Sequence, residues 1–155
     1  MKIVKILLAV LILAAIVVAV VAPIGPLPGF RIGGEETQAP AQWPDTSKVH
    51  EIKLKVPGTL PRVVIIWMVE HMDELHVVGS ADGGWVARLG EGKPVQMRLG
   101  DQTYALRAER KREGLRDILT AYVDKYKADY PDIVAGFPSF EEGQDQFAVF
   151  TLNRS

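Results

Sequence analysis

An unbroken run of 17 apolar residues, Ile6 to Ala22, constrains this chain more than anything else in it. As a helix the run is about 25 Å long, and it reaches about 30 Å when counted from Ile3 with the Lys5 stem lying along the apolar surface. That length matches the hydrocarbon core of a bilayer, so the sequence predicts a single transmembrane helix. A cleaved secretory leader is the competing reading, because Lys2 and Lys5 form a basic start and Ala19 and Ala22 are small. The run exceeds the usual apolar length of a leader, and Pro23 obstructs cleavage after Ala22, so an uncleaved anchor is favoured. Lys2 and Lys5 precede the span and only Arg31 soon follows it. The positive-inside rule then puts the amino terminus in the cytoplasm and the remaining domain on the extracytoplasmic side, periplasmic in a bacterium.

Prolines 23, 26 and 28 and glycines 25, 29, 33 and 34 end the helix. The expected organisation is an anchor over residues 1–24, a Pro/Gly-rich linker over 25–47 and one domain over 48–155. In the linker, Phe30, Ile32 and Trp43 are suited to covering the domain surface or resting at a membrane interface. The chain has 155 residues, a formal net charge of -1 and no cysteine. The charge gives no reason to expect nucleic acid, and the missing thiol removes disulfides, thiolate nucleophiles and thiolate metal sites.

Past the linker the pattern turns to strands. Glu51 to Val56 alternates polar with apolar, whereas Arg62 to Val69 is apolar at nearly every position and should be buried on both faces. A turn over His71–Glu74 leads to Leu75–Ser80, and Asp82-Gly83-Gly84 breaks the chain before a short helical turn near Trp85. Val95–Leu99 and Tyr104–Ala108 form a second hairpin around Gly100-Asp101. Leu115, Ile118, Leu119, Tyr122, Val123 and Tyr126 have helical spacing, with Pro131 closing that helix, and Phe147–Leu152 is the last strand. The prediction is an α+β domain: an antiparallel barrel of about six strands, closed or partly closed, with one main amphipathic helix.

Three constellations bear on chemistry. His71 and His76 lie five apart in a turn, which fits no helical zinc motif, so no metal site is assigned. Arg107, Arg110, Lys111, Arg112 and Arg116 are interleaved with Glu109, Glu113 and Asp117, the pattern of a solvated strand-to-helix junction, with anion capture by the arginines as the sharper reading. Gly79 to Trp85 places a hydroxyl, three glycines and backbone amides between a strand and a short helix, suited either to a phosphate or to a plain reverse turn.

The order of these pieces resembles the deazaflavin-dependent nitroreductase family of the flavin-binding split β-barrel group. The resemblance runs from about Val49 to Leu152 and rests on Gly58-Thr-Leu-Pro-Arg62, Ser80-Ala-Asp-Gly-Gly84, Trp85, Leu89, Pro94-Val95-Gln96, Gly100 and Tyr104. It implies a split barrel in which Arg62, Ser80, Gly83, Gly84, Trp85 and Arg88 lie near the phosphate or ring of FMN or a deazaflavin. Hydride would pass to a lipophilic acceptor, which makes the chain an oxidoreductase if it is active. Two positions depart from that pattern, with Leu60 where a basic residue is usual and Arg88 where an asparagine is. They motivate the alternative, a non-catalytic accessory or assembly subunit of a membrane protein complex that binds no cofactor. The partners expected are the lipid bilayer and either a larger membrane complex or a second copy in a homodimer.

Overall fold

The computed structural model describes residues 2–21, with side chains at 4 and 6–17, and residues 29–154. The first helix, α1, is Lys2–Val21. Among the described residues no helix is long and apolar enough to cross a membrane. This overturns the transmembrane helix expected from the sequence, and with it the single-pass localisation and the assignment of sides. Along α1 the described side chains are Val4 and the apolar run Ile6–Val17. The large side chains along it are more than half exposed. The helix stop expected from Pro23 to Pro28 lies outside the described residues.

The rest is a barrel with helices at one end and on one side. The strands are β1 (Glu35–Thr37), β2 (Glu51–Val56), β3 (Arg62–His71), β4 (Glu74–Ser80), β5 (Gly92–Leu99), β6 (Gln102–Lys111) and β7 (Phe147–Arg154). The helices after α1 are α2 (Gly84–Leu89), α3 (Leu115–Tyr126), α4 (Pro131–Ala135) and α5 (Phe140–Gly143). Neighbours run β6-β5-β2-β3-β4-β7, and β7 pairs back onto β6, so six antiparallel strands close into a ring. Strand β1 runs parallel to Gln102–Tyr104, the part of β6 that β7 does not reach.

Strand chemistry follows from this closure. Along β3, Val64, Ile66 and Met68 belong to the barrel interior, while Trp67 and Val69 face outward beneath α3. Both faces are therefore covered, which is why the segment lacks alternation. The inner core also takes Leu54, Val56, Leu75, Val77, Met97, Leu106 and Phe150. Helix α2 carries the chain from β4 across the barrel end to β5, and its Val86 and Leu89 join that core as a plug. The β3–β4 hairpin turns on Met72 and Asp73, both in the left-handed region at φ 53° and 62°, the conformation that suits a two-residue hairpin.

Two segments depart from the sequence reading. Trp43 is a core residue, packed edge-on against Tyr104 at 5.2 Å, because the chain from β1 to β2 folds against the barrel. Pro131 does not merely close α3. That helix ends at Tyr126, and Pro131 opens α4, where its missing N–H costs nothing.

Candidate functional site

Strand β3 changes partner midway. Arg62–Trp67 pairs with β2 and Met68–His71 pairs with β4. The next rung of the β2 ladder would join His50 to Met68, but the Tyr126 hydroxyl occupies it. The Met68 N–H donates to Tyr126 Oη at 3.0 Å, and that hydroxyl's single proton is shared between the carbonyls of His50, at 2.6 Å, and Met68, at 2.7 Å. The phenol ring stacks on Trp67 with centroids 4.1 Å apart and planes 13° from parallel. Lys125 Nζ, next along α3, donates to the carbonyls of Met68 at 2.9 Å and Thr46 at 3.0 Å, and burial pulls its pKa below the ordinary lysine value. Helix α3 is thus nailed to the point where the sheet divides.

The division has a consequence on β4. Its pairing with β3 stops at Val77, so Val78–Ser80 is paired with β7 alone. Along these three residues, between the outer face of β4 and β7 and the helices α3 to α5, lies a cavity of about 630 Å³. Val78, Leu119, Tyr122, Val134, Phe137 and Phe147 make it apolar, while Ser80, Arg116 and Gln146 supply polar atoms. That volume is typical of sites for small molecules and cofactors. Burial pushes the Tyr122 phenol above the ordinary tyrosine range, which keeps it neutral beside the apolar lining.

The residues singled out by sequence fall around the same loop. Ser80 lines the cavity, and its hydroxyl donates to the Asp82 carboxylate. The loop then tightens as the Gly83 N–H donates to the Ser80 carbonyl at 2.8 Å, and α2 begins at Gly84. Arg62 lies over that start: a Cβ added at Gly84 would stand 3.5 Å from Arg62 Nη1. Among the described residues the Arg62 side chain makes neither hydrogen bond nor ion pair, while its backbone lies opposite Val56 in the β2–β3 ladder.

Trp85 and Arg88 are engaged within the fold. The Trp85 ring fills the space left by the missing side chain of Gly79, where a Cβ would come within 2.3 Å of Cζ2, and it packs on Phe150 at 5.8 Å. Arg88 Nη1 donates to the Leu60 carbonyl at 2.9 Å and fixes the turn before Arg62. The structure therefore brings Arg62, Ser80, Gly83 and Gly84 to one loop, and sets Trp85 and Arg88 behind it.

Most of the basic concentration is tied down. Arg107 meets Glu109 at 3.1 Å, Lys111 meets Glu74 at 3.5 Å, Arg112 pairs with Glu91, and Arg110 lies 5.3 Å from the centre of the Phe150 ring. Arg116 differs by reaching the cavity. His76 is buried, with Nδ1 3.1 Å from Thr151 Oγ1, and burial lowers its pKa. Sequence reasoning missed the cavity because its wall is assembled from β4, β7 and three helices. The helical spacing of Leu119, Tyr122 and Val123 was its only visible trace.

No family model matches the chain, and no curated protein matches it. Among solved structures it is similar to an FAD and heme binding protein from Mycobacterium smegmatis, with a TM-score of 0.52 and 15% identity over 70% of this chain and 62% of that one. The chain thus spans less than two thirds of that protein's length. A heme storage protein, HutZ, from Vibrio cholerae follows with a TM-score of 0.49 and 14% identity over 70% of this chain and 83% of the other. A NimC/NimA family protein from Clostridium acetobutylicum gives 0.41 and 17% over 66% and 73%. Together with the closed six-strand ring and the midway change of partner in β3, the first of these likenesses makes the fold a split β-barrel, the architecture of the FAD- and heme-binding mycobacterial protein.

Proposed function

We propose that this split barrel holds a flavin- or deazaflavin-type cofactor and passes hydride to an apolar acceptor. One observation carries the reading: an aromatic-lined cavity of about 630 Å³ starts at Ser80, one short loop from the half-buried Arg62, whose guanidinium has no partner among the described residues. When bound, such a cofactor supplies the hydride chemistry. The chain's part is to bind, orient and keep water out. Arg62 offers a planar fork to a phosphate, and Gly84 leaves the approach open. Ser80 can turn its hydroxyl from Asp82 to the same group. Tyr122, Phe137 and Phe147 give a flat ring system apolar faces to pack on. Trp85 and Arg88 act as positioning residues, one seating α2 through Gly79 and the other holding the Leu60 carbonyl. Among the described lining residues there is no His, Met or Cys; the residue there of a type that ligates heme iron is Tyr122, and burial keeps its phenol protonated, which favours a flavin over heme.

A second reading has its own support. The Ser80 hydroxyl and the Arg88 guanidinium already have protein partners, and the Asp82 carboxylate beside Ser80 opposes an incoming phosphate. A non-catalytic barrel that serves assembly, as a homodimer or in a larger complex, would tolerate all three. Titration with FMN and with a deazaflavin, followed by absorbance and fluorescence, separates the two. The cofactor reading expects a saturable spectral change that Arg62→Ala weakens by about tenfold, at unchanged stability, the effect of losing one charge-assisted contact. No saturable change with either compound rejects it.

A further inference from the structure

Arg116, in the first turn of α3, lines the cavity, and its Nη2 donates to Glu141 Oε1 at 2.6 Å. Its guanidinium carbon lies 4.4 Å from the centre of the Phe140 ring. Phe140 and Glu141 both belong to α5, so one arginine clasps α5 to α3 beside the cavity. The ion pair is mostly in water, with Arg116 58% and Glu141 66% exposed. Such a pair contributes little to stability and is readily exchanged. Among the described residues Nε and Nη1 of Arg116 make no hydrogen bond.

The cavity's other polar side chains are largely taken. Ser80 donates to Asp82, Ser139 Oγ donates to Glu142 at 2.7 Å, and Gln146 Nε2 donates to the Glu142 carbonyl at 3.2 Å. Among the described residues Arg116 is the lining's only cation. Around it Asp117, Glu141 and Glu142 are exposed, so a displaced Glu141 returns to water without a burial cost.

We infer that the apolar ligand of this cavity carries an acidic group, and that Arg116 selects for it by exchanging Glu141 for the ligand's carboxylate. The inference rests on the cavity being a ligand site, as in the function proposed above, and it names the acceptor's class: a ring-bearing or short-chain organic acid. An alcohol of the same shape fills the same apolar space and gains no ion pair. Selection therefore resides in one guanidinium. Glu141 is the internal competitor that holds Arg116 when no acid is present. Its carboxyl is held below the usual glutamate range by the Arg116 hydrogen bond, so at neutral pH it competes as a full anion.

The test compares 2-naphthylacetate with 2-(2-naphthyl)ethanol at pH 7.5 on the full chain, by calorimetry and naphthalene fluorescence. The acid should bind about two- to fivefold tighter than the alcohol, the scale of one solvent-exposed ion pair. Arg116→Gln should erase that ratio and leave alcohol binding in place. Glu141→Gln removes the same clasp but frees Arg116, so it should tighten acid binding and leave the alcohol unchanged. A purely structural clasp predicts that both variants weaken acid binding together, and that outcome overturns the inference. Equal binding of acid and alcohol, or no binding of the acid, overturns it too. Acid binding with this dependence on Arg116, in a protein that fails the flavin titration, would remove the cofactor and keep the acid site.

Discussion

Replacing Tyr126 by phenylalanine tests the claim that a single hydroxyl divides this sheet. The ring stays, so its stacking on Trp67 is retained, and only Oη is lost. Three backbone groups surround that atom: the Met68 N–H, the Met68 carbonyl and the His50 carbonyl. Lys125 Nζ continues to serve the Met68 carbonyl at 2.9 Å, and water can reach the half-buried His50. The Met68 N–H is left inside a fully buried residue with nothing to accept it. An unsatisfied buried donor costs about 1–3 kcal/mol, so we expect a loss of about 2 kcal/mol and a fall in Tm of roughly 6–10 °C for a barrel of this size. Urea and thermal unfolding followed by circular dichroism measure the loss, and hydrogen exchange at the Met68 amide locates it. If the strands instead zip, the Met68 N–H reaches the His50 carbonyl directly. A change below about 0.5 kcal/mol with undiminished Met68 protection would show this and refute the wedge.

Two further outcomes follow from packing and charge. Gly79→Ala forces a Cβ to within 2.3 Å of the Trp85 ring and 3.1 Å of Val86 Cγ2. Overpacking of this kind costs about 1–3 kcal/mol, should disturb the near-ultraviolet tryptophan signal, and should be partly relieved by adding Trp85→Phe; no loss in the single variant would mean that α2 is not seated on Gly79. Burial holds Tyr122 and Tyr126 neutral above the ordinary tyrosine value of 10.0, where the unfolded chain ionises. The unfolded state then binds fewer protons, so stability is full below about pH 10 and falls as pH rises beyond it. A urea midpoint that stays flat from pH 9 to pH 11.5 would contradict that burial.

The strands were legible because their chemistry is local. Glu51–Val56 alternates, and Val63–Val69 is apolar throughout because one face lies in the barrel and the other lies under α3. The helix at Leu115–Tyr126 was legible through its period, but the role of Tyr126 was not. As a helix-face aromatic it reads as packing, and only the arrest of the β2–β3 ladder at Glu51 and Trp67 shows that its hydroxyl replaces a rung. Trp43 reads as a surface cover because the Pro/Gly-rich chain around it gives no sign that it folds back onto Tyr104. Of the loop residues, the glycines and Ser80 announced a tight turn, whereas the positioning roles of Trp85 and Arg88 depend on Gly79 and Leu60, which no spacing links to them. The apolar amino-terminal run suggests a span through its composition, whereas among the described residues no helix is long and apolar enough to cross a membrane.

The most direct test of the central claim is to map backbone amide shifts by nuclear magnetic resonance while FMN or a deazaflavin is added. Saturable shifts are expected at Val78–Ser80, Tyr122, Phe137 and Phe147, extending through Gly84 to Arg62. Shifts confined to β5 and β6, or none at saturating cofactor, would contradict it.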